Sequence, residues 1–124
     1  MSNVIGILAR VLMSQLFIVS GLSKLMAYGG SAGYFASLGI PMASLVLPLV
    51  IVIELGGGLA LLFGFKTRWV AAVLAAFTVG SALVAHMHFA DQMQMIQFMK
   101  NLAIAGGLLL FVQHGAGSAS VDAR

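Results

Sequence analysis

The stretch from Leu45 to Phe65, LVLPLVIVIELGGGLALLFGF, decides the fold because it is long and apolar enough to cross a lipid bilayer. A membrane-spanning helix needs about 20 consecutive, mostly apolar residues. This stretch contains a single carboxylate, Glu54. An unpaired charge at the centre of a span costs about 2.5–3.5 kcal/mol on insertion scales, so Glu54 is expected to have a partner on another helix and to mark a functional site.

The composition predicts that most of the chain is solvated by lipid. The 124 residues are 61% hydrophobic and 7% charged, and the mean hydropathy is +1.10, whereas soluble domains have about 25% charged residues. The six basic residues form no patch with interleaved aromatic residues, so we expect no nucleic-acid partner. Cysteine is absent, which excludes disulfides, thiolate nucleophiles and cysteine-ligated metal clusters.

Four apolar segments predict an all-α integral membrane four-helix bundle. The expected spans are Val4–Leu25, Leu45–Phe65, Trp69–Ala85 and Phe98–Val112. A short interfacial helix is expected between the first two spans, capped by Ser31 and ended by Gly39 before Pro41. We therefore divide the chain into a four-span domain at residues 1–114 and a short flexible cytoplasmic tail at residues 115–124.

The turn between the second and third spans predicts the orientation of the chain in the membrane. It contains Lys66 and Arg68 next to the aromatic Trp69, and basic residues are enriched in cytoplasmic loops. With four spans, this turn predicts that both termini are cytoplasmic. The amino-terminal span has Arg10 in its apolar region and is expected to be retained rather than cleaved as a signal peptide.

Polar residues of the first span share one helical face with an aromatic residue and a glycine. The members of this face, spaced by three or four residues, are Arg10, Ser14, Phe17, Gly21 and Lys24. Such spacing places them on one stripe, which we expect to face the bundle. Arg10 is the first candidate partner for Glu54 and Lys24 the second. The pair could be a structural ion pair, one wall of a ligand pocket, or a proton relay.

A second polar cluster spans the end of the third span and the start of the fourth. It contains His86, His88, Met93, Met95, Lys100 and Asn101. Two imidazoles with nearby thioethers could bind Cu(I), so His86, His88, Met93 and Met95 are kept as a weak alternative metal site. Ordinary packing, or the mouth of a ligand site where histidine transfers protons, explains the same residues without a metal.

These segments together resemble the DoxX family of small four-helix bacterial inner-membrane proteins. The matching pieces are RVLMSQLFIVSGLSKLMAY at residues 10–28, YFASLGIP at 34–41, IELGGGLALLFGFKTR at 53–68 and FMKNLAIAGGLLL at 98–110. The resemblance covers about residues 4–114. It implies a multi-pass protein of the inner membrane, with relatives in thiosulfate:quinone oxidoreductase, in thiol-stress complexes and in responses to quinones and catechols.

The resemblance and the polar residues together favour a redox-associated accessory that binds a quinone or another lipophilic aromatic molecule inside the bundle. The hypothetical ligand-binding residues are Arg10, Lys24, Glu54, His86, Asn101, Phe17, Phe77 and Phe111. Arg10 and Glu54 would form the inner polar end, and the aromatic residues would line the body. No metal, flavin or nucleotide motif is present in the sequence, and whether the protein is an enzyme stays undecided.

The rival hypothesis is a non-catalytic membrane scaffold or assembly factor for a partner oxidoreductase complex. Under it, the charged residues are buried structure and the interfacial segment contacts the partner. Membrane, periplasmic or cytoplasmic oxidoreductase subunits, or a second copy of the chain, are the expected protein partners, with the lipid bilayer as the surroundings.

Overall fold

The computed structural model describes residues 3–85, 90–117 and 120–123. All regular secondary structure within these ranges is helical. The elements in chain order are α1 (Asn3–Met26), α2 (Tyr28–Ser37), α3 (Ala43–Phe63), α4 (Thr67–Ala85) and α5 (Gln92–His114), followed by a 3-10 helix at Val121–Ala123.

The predicted four-span, all-α architecture is confirmed. In the described part of the chain, α1, α3, α4 and α5 are each long and apolar enough to cross a membrane, and the short α2 lies between the first two spans. The fourth span begins at Gln92 rather than Phe98. The reason is a cap, because the Asp91 carboxylate accepts a hydrogen bond from the backbone N–H of Met93 at 3.0 Å and so starts the helix earlier.

The short helix α2 ends as predicted but begins differently. Gly39 has a φ of +79°, the left-handed conformation that commonly ends a helix. The cap by Ser31 is wrong, since Ser31 lies inside the helix and its backbone N–H donates to the carbonyl of Ala27 at 2.9 Å. Only Ala27 separates α1 from α2, and no side chain caps the start of α2.

Two antiparallel helix pairs build the bundle. α1 packs mainly against α3, and α4 packs mainly against α5. The two pairs meet chiefly through α3 and α4, whereas α1 and α5 make little contact. We call the α1–α3 pair the first pair and the α4–α5 pair the second pair.

Glycines permit the close packing of α1 on α3. A Cβ added to Gly58 would lie 2.8 Å from the side chain of Ile18 and 3.1 Å from its backbone nitrogen, and one added to Gly21 would lie 2.8 Å from Leu55. No larger side chain fits without displacing the neighbouring helix. Gly56, by contrast, has nothing within 4 Å of such an atom, so only part of the glycine run serves packing.

The exposed surface is strongly apolar along the helices. Large side chains such as Leu12 (68% exposed), Val52 (66%) and Leu110 (59%) face outward, as expected of a protein surrounded by lipid. A buried cluster that includes Phe17, Leu61, Leu74, Leu108 and Phe111 joins α1, α3, α4 and α5 in the interior.

The described part of the carboxyl-terminal segment contacts the turn between α3 and α4. Asp122 accepts hydrogen bonds from the backbone N–H groups of Lys66 at 2.6 Å and Thr67 at 2.8 Å, and its own N–H donates to the carbonyl of Gly64 at 2.9 Å. Ser120 is buried. The segment therefore covers the turn between α3 and α4 and caps the start of α4.

Candidate functional site

The buried carboxylate of Glu54 is paired with Lys24. Nζ of Lys24 lies 2.9 Å from Oε1 of Glu54, and the two side chains are 25% and 6% exposed. Lys24 also donates a hydrogen bond of 2.8 Å to Oγ of Ser20, one helical turn earlier. The predicted convergence of acidic and basic groups from separate spans is confirmed, with the second-ranked candidate as the partner.

The predicted pairing of Glu54 with Arg10 is wrong. A Cβ on Gly21 would lie 3.1 Å from Cβ of Glu54, which sets Glu54 level with Gly21, eleven positions beyond Arg10. At about 1.5 Å per residue this separation is roughly 16 Å along the helix, more than an arginine side chain spans. The register of the antiparallel helices, fixed by their close glycine contacts, decides the partner.

Arg10 instead lies at the carboxyl-terminal end of α3 and stabilises it. Its guanidinium donates a hydrogen bond of 2.8 Å to the carbonyl of Leu62, one of the last carbonyls of the helix, where a positive charge is favourable. Arg10 is 3% exposed, so the prediction that its stripe faces the bundle is confirmed. Its place is next to the turn that Asp122 covers, away from Glu54.

The pKa of Asp122 reflects this polar end of the bundle. Partial burial acts to raise the pKa of the carboxyl group, but the hydrogen bonds from Thr67 and from the N–H of Lys66 lower it. The positive charge of Arg10 acts in the same direction. The net effect holds the pKa of Asp122 below its ordinary value, so the folded protein favours the ionised form that caps α4.

The Lys24–Glu54 pair lies on a cavity of ≈580 Å³ between the first and second helix pairs. Phe17 of α1, Phe77 of α4 and Asn101 of α5 line the same cavity, so five of the sequence-predicted site residues are brought together. Tyr34 and Phe35 of α2 lie at its wall, and Phe35 packs against α3. We call this space the polar cavity. Its size falls within the roughly 300–1,000 Å³ typical of small-molecule sites.

Two other predicted site residues, Phe111 and Arg10, lie away from the polar cavity. Phe111 lines a different apolar groove between α1 and α5, together with Met13 and Gly107, and Arg10 lies at the far end of α3. His86 and His88 fall outside the described residues. Met93 and Met95 are exposed on the first turn of α5, and the described residues contain no cluster of three or more histidine, cysteine or acidic side chains.

Three hydroxyl side chains of the polar cavity were missed by sequence reasoning: Ser20, Thr78 and Ser81. Ser20 could have been found, since it lies four residues before Lys24 on the same stripe. The Thr78 hydroxyl donates to the carbonyl of Leu74 at 2.7 Å within α4, an arrangement that satisfies a buried hydroxyl without any partner on another helix. No local pattern indicates that such residues face a cavity.

The arrangement can hold an amphipathic molecule. Aromatic and aliphatic walls suit an apolar ring, while Lys24 supplies hydrogen-bond donors and Glu54 supplies acceptors. The Asn101 amide can do both and has no hydrogen bond with the described residues. All of these groups line the same cavity.

Comparison with known proteins places these observations in a family. The model of the DoxX family matches residues 6–87. The chain is 46% identical over 119 residues to the inner membrane protein YqjF of Escherichia coli (strain K12), covering 95% of this chain and 90% of the relative. It is 35% identical to the inner membrane protein YphA of the same organism, covering 98% of this chain and 90% of that relative.

A more distant relative carries a functional name. The chain is 33% identical over 81 residues to the Bacillus subtilis (strain 168) protein named "Putative oxidoreductase CatD", covering 65% of this chain and 59% of that protein. No solved structure gives a significant match.

Four apolar helices around a buried ion pair and a polar cavity define an integral membrane protein of the small helical-bundle class. The chain belongs to the DoxX family, as its motifs predicted.

Proposed function

We propose that this protein is a redox-associated membrane accessory that holds a quinone-like or other lipophilic aromatic molecule in the polar cavity. The observation that carries the proposal is the placement of the Lys24–Glu54 pair, 2.9 Å apart, on the wall of a mostly apolar cavity of ≈580 Å³. A largely apolar site with a few converging polar groups is the usual form of a small-molecule site.

Each of the five converging residues has a distinct part in this proposal. Phe17 and Phe77 flank the ring of the ligand, and Lys24 and Asn101 donate hydrogen bonds to its oxygens. Glu54 holds Lys24 in place and offers an acceptor to the ligand. His86, predicted to transfer protons at the mouth of the site, stays a prediction, as does the alternative copper site.

The similarity to a protein named as an oxidoreductase supports a redox setting. The chain has no cysteine, so its electrons would be carried by the ligand or by a partner oxidoreductase subunit in or at the membrane. The protein would then act by presenting or sequestering the ligand for that partner.

Ligand-dependent thermal stabilisation of the purified protein tests the proposal. With 2,3-dimethyl-1,4-naphthoquinone or 1-naphthol at about 100 times Kd, stability should rise by about 2.7 kcal/mol, seen as an increase in Tm. Phe77→Trp fills the cavity and should abolish the increase. Phe63→Trp, at a side chain that is 60% exposed on the lipid face, is the matched control.

A lipid extract of the purified protein, analysed by mass spectrometry, gives an independent readout that needs no prior choice of ligand. A lipophilic aromatic retained by the wild type and absent from Phe77→Trp is expected. If neither probe raises Tm and no such molecule is retained, while Glu54→Gln prevents a partner protein from co-purifying, the protein is a scaffold and the proposal is wrong.

We also propose that the protein lies in the inner membrane with both termini in the cytoplasm, since the turn at Lys66–Arg68 is basic. Because the chain has no native cysteine, a thiol reagent can label only a cysteine that is introduced by substitution. An impermeant maleimide should label Ser37→Cys in intact cells, and Gln113→Cys only after the inner membrane is permeabilised. The reverse labelling pattern would invert the topology.

A further inference from the structure

Gln15 exposes an amide side chain to lipid at the middle of the first span. The helix α1 runs from Asn3 to Met26, so Gln15 lies twelve positions from its first residue and eleven from its last, or about 17 Å from either end. Its side chain is exposed. Hydrocarbon offers no hydrogen bonds, so an amide at this depth is unfavourable unless protein groups supply them.

The described residues satisfy only part of this amide. Nε2 of Gln15 donates a hydrogen bond of 3.2 Å to the carbonyl of Leu12, and the side chain makes no other hydrogen bond with the described residues. A primary amide has two N–H donors and an oxygen acceptor. The α5 residues that line the same groove are apolar except for His114, which lies at the end of its helix rather than at mid-membrane.

Gln15 belongs to a row of exposed residues that follows the whole length of α1. The members of this row are separated alternately by three and four positions, and all of them are exposed: Ile5, Leu8, Leu12, Gln15, Val19, Leu22 and Met26. We call these seven residues the outer face of α1. An average spacing of 3.5 residues is the pattern along which a second helix packs in a coiled coil.

The outer face of α1 points away from the rest of the bundle. Val19 comes nine positions, or about two and a half turns, after Arg10, so the two side chains lie on opposite sides of the helix. Arg10 is buried against α3, whereas Val19 is 60% exposed. Phe17 and Lys24, which line the polar cavity, share the face of Arg10. A helix packed on the outer face therefore leaves the polar cavity unobstructed.

A second copy of the chain fits this face better than other occupants do. Two copies inserted in the same orientation have Gln15 at the same depth, and a two-fold axis along the membrane normal sets each outer face against its counterpart. An amide is self-complementary, because the oxygen of one accepts from the N–H of the other and the reverse. A lipid chain offers neither donor nor acceptor, and a different protein would need its own polar group at this depth.

We propose that the protein forms a parallel homodimer through the outer face of α1, with the two Gln15 side chains hydrogen-bonded to each other across the axis. The apolar members of the face supply the packing. The Gln15 pair fixes the register of the two helices, as a single polar position does in a coiled coil, and glutamine side chains stabilise helix pairs in membranes by such bonds. The dimer is independent of the ligand proposed for the polar cavity.

Energy transfer between donor-labelled and acceptor-labelled copies in lipid vesicles tests the dimer over a range of protein-to-lipid ratios. The labels are attached at Ser37→Cys, outside the outer face. The wild type should show transfer that falls on dilution with lipid. Gln15→Leu keeps the apolar contact but loses the hydrogen bonds, so the dimer should dissociate about tenfold more readily. Gln15→Asn retains an amide at the same depth and should weaken the dimer less.

Cysteine cross-linking locates the interface independently. Val19→Cys lies on the outer face of α1 and Val52→Cys lies on α3, and the two valines are similarly exposed, at 60% and 66%. Oxidation by copper–phenanthroline in membranes should yield a disulfide-linked dimer of Val19→Cys, whereas Val52→Cys, the matched control, should stay monomeric.

Three outcomes would overturn the proposal. Absence of energy transfer at every protein-to-lipid ratio excludes the dimer and leaves lipid or a different membrane protein as the neighbour of this face. Equal association of Gln15→Leu and the wild type overturns the pairing of the amides. Equal cross-linking of Val19→Cys and Val52→Cys overturns the outer face of α1 as the interface.

Discussion

At the scale of single residues, Lys24 and Glu54 depend on each other. Glu54 is buried and Lys24 is partly buried, with side chains 6% and 25% exposed, so removal of either charge leaves the other without its compensating partner. Replacement of both by neutral groups of similar shape removes that penalty. The pair is therefore weak evidence for net stability, even though loss of one partner alone is costly.

A double-mutant cycle measures this dependence. Lys24→Met should lower the free energy of unfolding by about 3 kcal/mol because it leaves Glu54 as an uncompensated buried carboxylate. Adding Glu54→Gln should restore most of that loss, so the two changes are strongly non-additive. Unfolding in mixed micelles is the measurement, and additive losses would show that the side chains do not form a pair.

The sequence predicted part of this site but not which basic residue pairs with Glu54. The stripe on α1 was visible because helical spacing places Arg10 and Lys24 on one face. The choice between them depended on how far α1 is shifted along α3. That shift follows from contacts of Gly21 and Gly58 with side chains of the opposite helix. An estimate of depth from the ends of the predicted spans does not reveal these contacts.

At the scale of elements, the seam between α1 and α3 depends on glycine at specific positions. Gly58 lies against Ile18 and Phe17 of α1, with separations of 2.8 Å and 3.2 Å to an added Cβ. Gly56, two residues earlier on the same helix, faces open space. At Gly58 a larger residue would disturb packing, whereas at Gly56 only the poor helix propensity of glycine is at stake, so the two positions can be compared.

A matched pair of alanine variants tests this division. Gly58→Ala should destabilise the protein by about 1–3 kcal/mol because the added methyl group overpacks the seam. Gly56→Ala should leave stability unchanged or raise it by up to about 1 kcal/mol, since alanine favours a helix more than glycine does. Similar losses at both positions, measured by thermal unfolding in detergent, would argue against close packing at Gly58.

Secondary structure was more predictable from the sequence than the contacts between elements. Apolar runs located all four spans, because length and hydropathy alone determine which segments cross a bilayer. The cap of α4 by Asp122 could not be foreseen, since it joins residues 55 positions apart and has no local sequence pattern. The tail around Asp122 has a Gly-, Ala- and Ser-rich composition that is typical of flexible segments.

At the scale of the whole molecule, the carboxyl-terminal segment joins the two helix pairs at the end remote from the polar cavity. Asp122 binds the backbone of Lys66 and Thr67 at the start of α4 and that of Gly64 after α3. Because the pKa of Asp122 is lower in the folded protein than its ordinary value, this contribution depends on pH with a definite sign.

Asp122→Ala should lower the free energy of unfolding by about 1 kcal/mol at neutral pH, as the loss of a helix cap does. In the wild type the contribution is fully present above the unfolded-state pKa of about 4, and it is lost as pH falls through the lower folded-state pKa. The variant should therefore show a weaker loss of stability on acidification than the wild type. Parallel pH profiles of the two proteins, from unfolding curves between neutral and strongly acidic pH, would contradict the assigned role.

The position of the polar cavity between the two helix pairs has a practical consequence for handling the protein. Glu54 and Lys24 belong to one pair, and Phe77 and Asn101 belong to the other. A harsh detergent that separates the two helix pairs would disrupt the polar cavity while every helix stays intact. Circular dichroism would still report native helix content, so the solubilised protein has to be judged by its binding of the proposed ligand rather than by helix content alone.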